Sequence, residues 1–189
     1  MSLESLVDNS RTDKNTTHSY LPLYDALLKS KKDTAKNVLE VGIYSGGSIK
    51  LWHDYFPNAT VHAVDVQSIH GVFDQLKNNK RIVLHTSTDA YNIDLFTRNF
   101  INTGIKCDFM LDDGPHTLES QKQFIRLYSR IMTDDGILII EDVQDWAWID
   151  TLRAEVPVDL RPFIKVYDLR KTKGRYDDIV FTIDKSGCN

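Results

Sequence analysis

With 189 residues, 41% of them hydrophobic and 26% charged, the chain has the size and composition of one globular domain with a substantial core. A net charge of -4 leaves no basic footprint for nucleic acid or an anionic membrane, so neither is expected as a partner. No apolar run has transmembrane length, the start Met1-Ser2-Leu3-Glu4-Ser5 is not a signal peptide, and Cys107 and Cys188 form neither a metal pattern nor a disulfide framework, so a reducing, cytoplasmic setting is expected.

Residues 1–18 are polar and read as irregular. Residues 20–28 carry apolar side chains at helical spacing, with Pro22 tolerable in a first turn. Residues 38–41 form a short apolar run that includes Glu40, breaks at Gly42 and leads through Gly46 and Gly47 into an amphipathic segment opened by Ser48. This pattern predicts a buried strand, a glycine turn and a helix capped by Ser48. A second strand covers 60–65, a short helix 69–76, a third strand 81–85 and a helix 90–100. A fourth strand spans 107–112, followed by a helix over 117–131. After a turn at 133–136, residues 136–141 read as a central strand, apolar on both faces. A helix over 146–156 and two final strands, 163–169 and 178–183, complete the pattern. Alternating strands and helices predict an α/β, Rossmann-like, mostly parallel seven-stranded sheet covered on both faces, organised as a single domain. The last two strands are joined too briefly for a helical crossover, so one of them is expected to run antiparallel.

At the carboxyl end of a first parallel strand, a glycine turn faces the crevice where such sheets bind ligands. A dinucleotide fingerprint from Gly42 demands glycine at position 44, which is Tyr44, so the spacing fails. The second strand ends in Asp65, about 20 residues on from the turn, where a ribose-hydroxyl acceptor belongs. S-adenosylmethionine needs that carboxylate but has no pyrophosphate. The pattern Glu40-x-Gly42-x3-Gly46-Gly47, then Asp65, resembles motifs I and II of class I methyltransferases. Thr86, Ser87, Thr88 and Asp89, after the third strand, are expected to face the adenine; a helix cap from Thr88 or Asp89 is the simpler alternative.

A second group of residues leaves the fourth strand as Asp112-Asp113-Gly114-Pro115-His116 and the fifth as Glu141-Asp142. Both exits should lie beside the glycine turn, and carboxylates crowded there favour protonation or a bound cation. Oxygen donors without cysteine suit a hard ion, Mg²⁺ before Mn²⁺ or Ca²⁺. Asp113, Glu141 and Asp142 are the expected ligands, with His116 left free as a base. The competing reading makes these acids, and His116, caps of the following helices. Asp112 serves either as such a cap or as a cofactor contact.

Taken with Thr12-Asp13-Lys14, His18 and Tyr20, these motifs resemble the metal-dependent sugar O-methyltransferases of the mycinamicin and rhamnosyl type over nearly the whole chain. The resemblance implies Mg²⁺ on Asp113, Glu141 and Asp142, and His116 as general base. It also implies a segment from Thr12 through Lys14 and His18 to Tyr20 that closes over S-adenosylmethionine. Arg11 stands where the family often has glycine and Pro115 where it often has serine, and the extra N-terminal domain of some relatives is not expected.

The implied reaction is methyl transfer to a sugar hydroxyl, with a deoxyhexose such as rhamnose in a glycan or glycoside as acceptor. The ion would lower the hydroxyl's pKa, and a histidine of ordinary pKa can take the proton near neutral pH. Trp146 and Trp148 could stack on sugar rings, although tryptophans on an amphipathic helix are more often core. The basic loop 170–176 stands where a substrate lid is usual, and a solvated hairpin tip is the simpler reading. A catechol-type O-methyltransferase would use the same acids. An NAD-dependent oxidoreductase is disfavoured by Tyr44, and a binding module by the intact acid set. A homo-oligomer is compatible with the sequence.

Overall fold

The computed structural model describes residues 1–187; Cys188 lies outside the described residues. Seven strands build one sheet: β1 (Asn37–Val41), β2 (Thr60–Val64), β3 (Ile82–His85), β4 (Cys107–Asp112), β5 (Met132–Ile140), β6 (Ile164–Asp168) and β7 (Ile179–Asp184). Their order is β3-β2-β1-β4-β5-β7-β6. The first five are parallel, and β7 is antiparallel to both β5 and β6, so the expected single reversed strand is the last one.

Successive strand residues point to opposite faces, and both faces are apolar. Val38, Phe109, Leu111, Ile137 and Ile139 enter one core; Leu39, Met110, Leu138 and Ile140 enter the other. The helices that cover them are α1 (Leu3–Leu6), α2 (Tyr20–Leu28), α3 (Gly47–Tyr55), α4 (Asp74–Lys77), α5 (Ile93–Phe96), α6 (Leu118–Tyr128), α7 (Trp148–Glu155) and α8 (Arg170–Lys173). Tyr24 and Trp52, from α2 and α3, pack in the first core; Phe124 and Leu152, from α6 and α7, in the second.

Several elements depart from the sequence pattern. The N-terminal stretch contains a helical turn, α1, because Ser2 caps it and the Leu3 amide donates to Asp25. The segment 69–76 splits into a 3-10 turn and α4. The helix expected over 90–100 starts at Ile93 under an Asn92 cap and widens into a π turn, which brings both Phe96 and Phe100 onto Tyr128. β5 begins at Met132, so the expected turn at 133–136 is extended chain. Ser48 does not cap α3: Gly46, in the left-handed region at φ 96, is the cap residue.

Strand order reverses direction between β1 and β4, and the exits of these strands are laced together. The Gly42 amide donates to the Val64 carbonyl at 2.9 Å, Asp113 to Val41 at 2.9 Å, and Glu141 to Asp112 at 3.3 Å. Four non-glycine residues with positive φ, Tyr44, Ser87, His116 and Asp142, follow β1, β3, β4 and β5 at the carboxyl edge. Backbone strain gathered at one edge marks where the fold gives up local comfort for placement of side chains.

Candidate active site

A cavity of about 970 Å³ opens at this edge, between the glycine turn, Asp65, residues 88–91, residues 113–116 and the N-terminal residues 9–13. Asp65 reaches back across its mouth: its Oδ2 accepts from the amides of Ile43 (2.7 Å) and Tyr44 (3.2 Å) and its Oδ1 from Gln67 (2.8 Å). These bonds fix the carboxylate at the cavity wall. The N-terminal segment forms the roof. Arg11 lies 3.6 Å above the Phe73 ring centre, and the Arg11 carbonyl sits so close to Gly47 that any Cβ there would overlap it. Gly42 has φ 99 and its Cβ position is filled by the Asp113 carbonyl, so both a left-handed turn and close approach require glycine.

Of the residues expected around the cofactor, Thr12, Gly42, Gly47, Ser48 and Asp65 line this cavity. Gly46 shapes the turn from behind, against Leu76. Thr86 and Ser87 are not in the lining; Thr88 and Asp89 are, because Ser87 turns the chain at φ 53 and its amide is tied to the Gln67 carbonyl. Glu40, Asp112, Lys14, His18 and Tyr20 also stand outside the lining.

Four of those five, Glu40, Lys14, His18 and Tyr20, belong to a buried polar network. Lys14 is fully buried, and its ammonium donates to Asp113 Oδ2 at 2.6 Å and to Glu141 Oε1, with Glu40 at 3.6 Å. Burial opposes the Lys14 charge, but Asp113, Glu141 and Glu40 overcome it and raise its pKa. Burial likewise opposes ionisation of Asp113, yet Lys14 holds its carboxyl below the usual range. Burial and then Asp113 push Glu141 up, and burial pushes Glu40 to about 7 although Trp52 donates to it. Tyr24 donates to Glu141 Oε2 at 2.6 Å, and Tyr20 donates to Asp142 Oδ1. His18 Nδ1 lies 2.7 Å from Asp178 Oδ1 and 3.4 Å from Asp142 Oδ1, with its ring stacked on Tyr20. Asp112 accepts from the Tyr91 hydroxyl at 2.6 Å, and burial pushes it up to about 7. It is neither a helix cap, since Thr117 caps α6, nor a lining residue.

The expected ligand trio is therefore divided. Both Glu141 oxygens are occupied, one by Lys14 and one by Tyr24. Asp113 and Asp142 instead converge on His116, whose Nε2 lies 3.8 Å from Asp113 Oδ1 and 3.6 Å from Asp142 Oδ2. These three residues offer donor atoms within 4.8 Å of one another. His116 is 30% exposed and lines the cavity. Two carboxylates and an imidazole, with no hydrogen bond closing the gaps, fit a hard divalent cation. Tyr24, Asp178 and Tyr91 were missed. Tyr24 looks like core on an apolar helix face, and nothing in the spacing announces the other two.

No helix among the described residues is long and apolar enough to cross a membrane. No family model matches the chain. Among curated proteins it is 27% identical, over 67% of its length, to the Streptomyces olivaceus 8-demethyl-8-(2-methoxy-alpha-L-rhamnosyl)-tetracenomycin-C 3'-O-methyltransferase. It is 26% identical, over 77% of its length, to the L-olivosyl-oleandolide 3-O-methyltransferase of Streptomyces antibioticus. The chain spans only 32% and 38% of those two relatives. Among solved structures, MycE methyltransferase of the mycinamycin pathway, in complex with Mg, SAH and mycinamycin VI, superposes with a TM-score of 0.72 at 18% identity, covering 97% of this chain and 54% of that one. Human methyltransferase-like protein 13 in complex with SAH gives 0.58 at 18% identity, covering 84% and 73%. The chain thus has the class I S-adenosylmethionine-dependent methyltransferase fold, and in sequence it is similar to sugar O-methyltransferases of Streptomyces.

Proposed function

We propose that the protein transfers the methyl group of S-adenosylmethionine to a sugar hydroxyl, with a divalent cation held by Asp113 and Asp142 and with His116 as general base. The observation that carries this reading is the meeting of His116 with both carboxylates at the wall of the cavity above Asp65. The named substrates of the similar proteins, rhamnosyl and olivosyl groups, support a deoxyhexose acceptor. When bound, Mg²⁺ or Mn²⁺ would lower the pKa of an acceptor hydroxyl and fix its orientation.

Asp65 accepts the ribose hydroxyls, and the glycine turn admits the donor close to the main chain. Residues 9–13 roof the cavity on its N-terminal side. His116 Nε2, at the boundary between cavity and carboxylates, takes the acceptor proton as the oxygen receives the methyl. Lys14, Tyr20 and Tyr24 hold the surrounding acids in place.

A second assignment, His116 as third metal ligand, is favoured by the same convergence of donor atoms. The two separate cleanly. Turnover and Mn²⁺ affinity are measured for wild type and His116→Asn with a rhamnoside acceptor. A base gives lost turnover with unchanged Mn²⁺ affinity, a ligand gives loss of both, and retained turnover removes His116 from the chemistry. Absence of methylation on every sugar, with methylation of a catechol, would transfer the reading to a phenolic acceptor.

A further inference from the structure

The two tryptophans after Asp142 have separate fates. Trp148, the first residue of α7, packs against the second core, whereas Trp146 is 46% exposed. A second exposed aromatic, Tyr176, lies in the hairpin between β6 and β7 and is 63% exposed. Neither ring is loose. The Arg170 guanidinium stands 5.5 Å from the Trp146 ring centre and is itself clasped by Asp168, Nε to Oδ1 at 2.8 Å and Nη2 to Oδ2 at 2.7 Å. The Tyr176 hydroxyl donates to Gln144 Oε1 at 2.7 Å, and the Gln144 amide donates to the Asp142 carbonyl at 3.1 Å.

The hairpin that carries Tyr176 and Arg170 is also pinned to the site. Asp178 accepts from Ser19 at 2.9 Å and pairs with His18, while Lys173 donates to the carbonyls of Asn15, Thr16 and His18. Asp142 is therefore linked to His116 through its Oδ2, 3.6 Å from Nε2, and to Tyr176 through its carbonyl and Gln144.

We infer that Trp146 and Tyr176 form the acceptor platform, an open aromatic surface that stacks on the C–H face of a pyranose ring and presents its hydroxyls to the Asp142 side of the site. Pre-held rings suit this task because little side-chain freedom remains to be lost on binding. The inference rests on the sugar reading of the function, and it names the residues that would read the acceptor.

The test measures binding apart from turnover. Methyl rhamnoside, and the same sugar on a nucleoside diphosphate, are titrated by calorimetry into protein saturated with S-adenosylhomocysteine and Mg²⁺. Wild type, Trp146→Ala, Tyr176→Ala and Tyr176→Phe are compared. The platform predicts at least about tenfold weaker sugar binding in each alanine variant, a smaller loss in Tyr176→Phe, which keeps the ring but not its bond to Gln144, and unchanged S-adenosylhomocysteine affinity in all three. Equal sugar affinity in wild type and both alanine variants overturns it, as does no sugar binding at all. Binding of the sugar nucleotide but not of the simple glycoside assigns recognition to the diphosphate and also overturns it. A sugar that binds through these rings without being methylated removes the functional reading and leaves the platform. Methylation with an unchanged acceptor KM in the alanine variants does the reverse.

Discussion

The donor cavity and the carboxylate cluster meet at Asp113, yet they are built in opposite ways. The cavity is shaped by the glycine turn, and its acid Asp65 is fixed by amides of its own neighbourhood. The cluster is side chains throughout, buried, and held by donors far away in sequence: Lys14 for Asp113 and Glu141, Tyr24 for Glu141, Tyr20 for Asp142. Local permissiveness makes the first, and long-range charge compensation makes the second. One segment serves both, because residues 9–13 roof the cavity and Lys14, His18 and Tyr20 clamp the acids.

The largest effect should come from the group shared by both regions. His116→Ala should lower kcat by roughly 10²–10⁴ while S-adenosylhomocysteine still binds, which turnover and calorimetry together would read. Lys14→Met strikes the cluster alone. It leaves buried acids without their cation, and urea denaturation should show a loss of about 3–5 kcal/mol at neutral pH. If stability is unchanged, the acids are not held in the way described.

Gly47→Ala strikes the cavity alone. Gly47 has ordinary helical backbone, so the fold should tolerate alanine, but the new Cβ displaces the Arg11 carbonyl and lifts the roof. About tenfold weaker S-adenosylhomocysteine binding with little change in Tm is expected. Intact affinity would mean that the roof is dispensable.

A control outside both regions concerns His62, whose pKa burial and then His85 lower from 6.5 to about 4. The unfolded chain binds this proton more readily, so its contribution is complete above pH 6.5 and fades as pH falls towards 4. His62→Phe should flatten that part of the acid limb and change nothing at pH 8. The remaining acid sensitivity would then report on the rest of the molecule.

The difference between the two regions also explains what could be read from the chain. Strand and helix periods, the glycine turn and Asp65 are local signals, and the sheet and cavity follow from them. The reversed final strand was legible for the same reason, since its connection is short. Lys14 reaches partners 99 and 127 residues away, and no local pattern says whether a buried lysine faces a cofactor or an acid. Glu141 and Asp142 are adjacent, and adjacency suggested a shared ion. Their backbones differ, with Asp142 at φ 53, so one side chain turns down to Lys14 and Tyr24 and the other towards His116. Trp146 and Trp148 are alike in the sequence and parted only by packing.

Mn²⁺ titration, followed by the loss of its free-ion resonance, tests most directly whether Asp113 and Asp142 form a cation site beside the donor cavity. The account predicts one ion per chain in wild type. It further predicts no saturable binding in Asp142→Asn, which should still bind S-adenosylhomocysteine. Equal Mn²⁺ affinity in wild type and Asp142→Asn would contradict it.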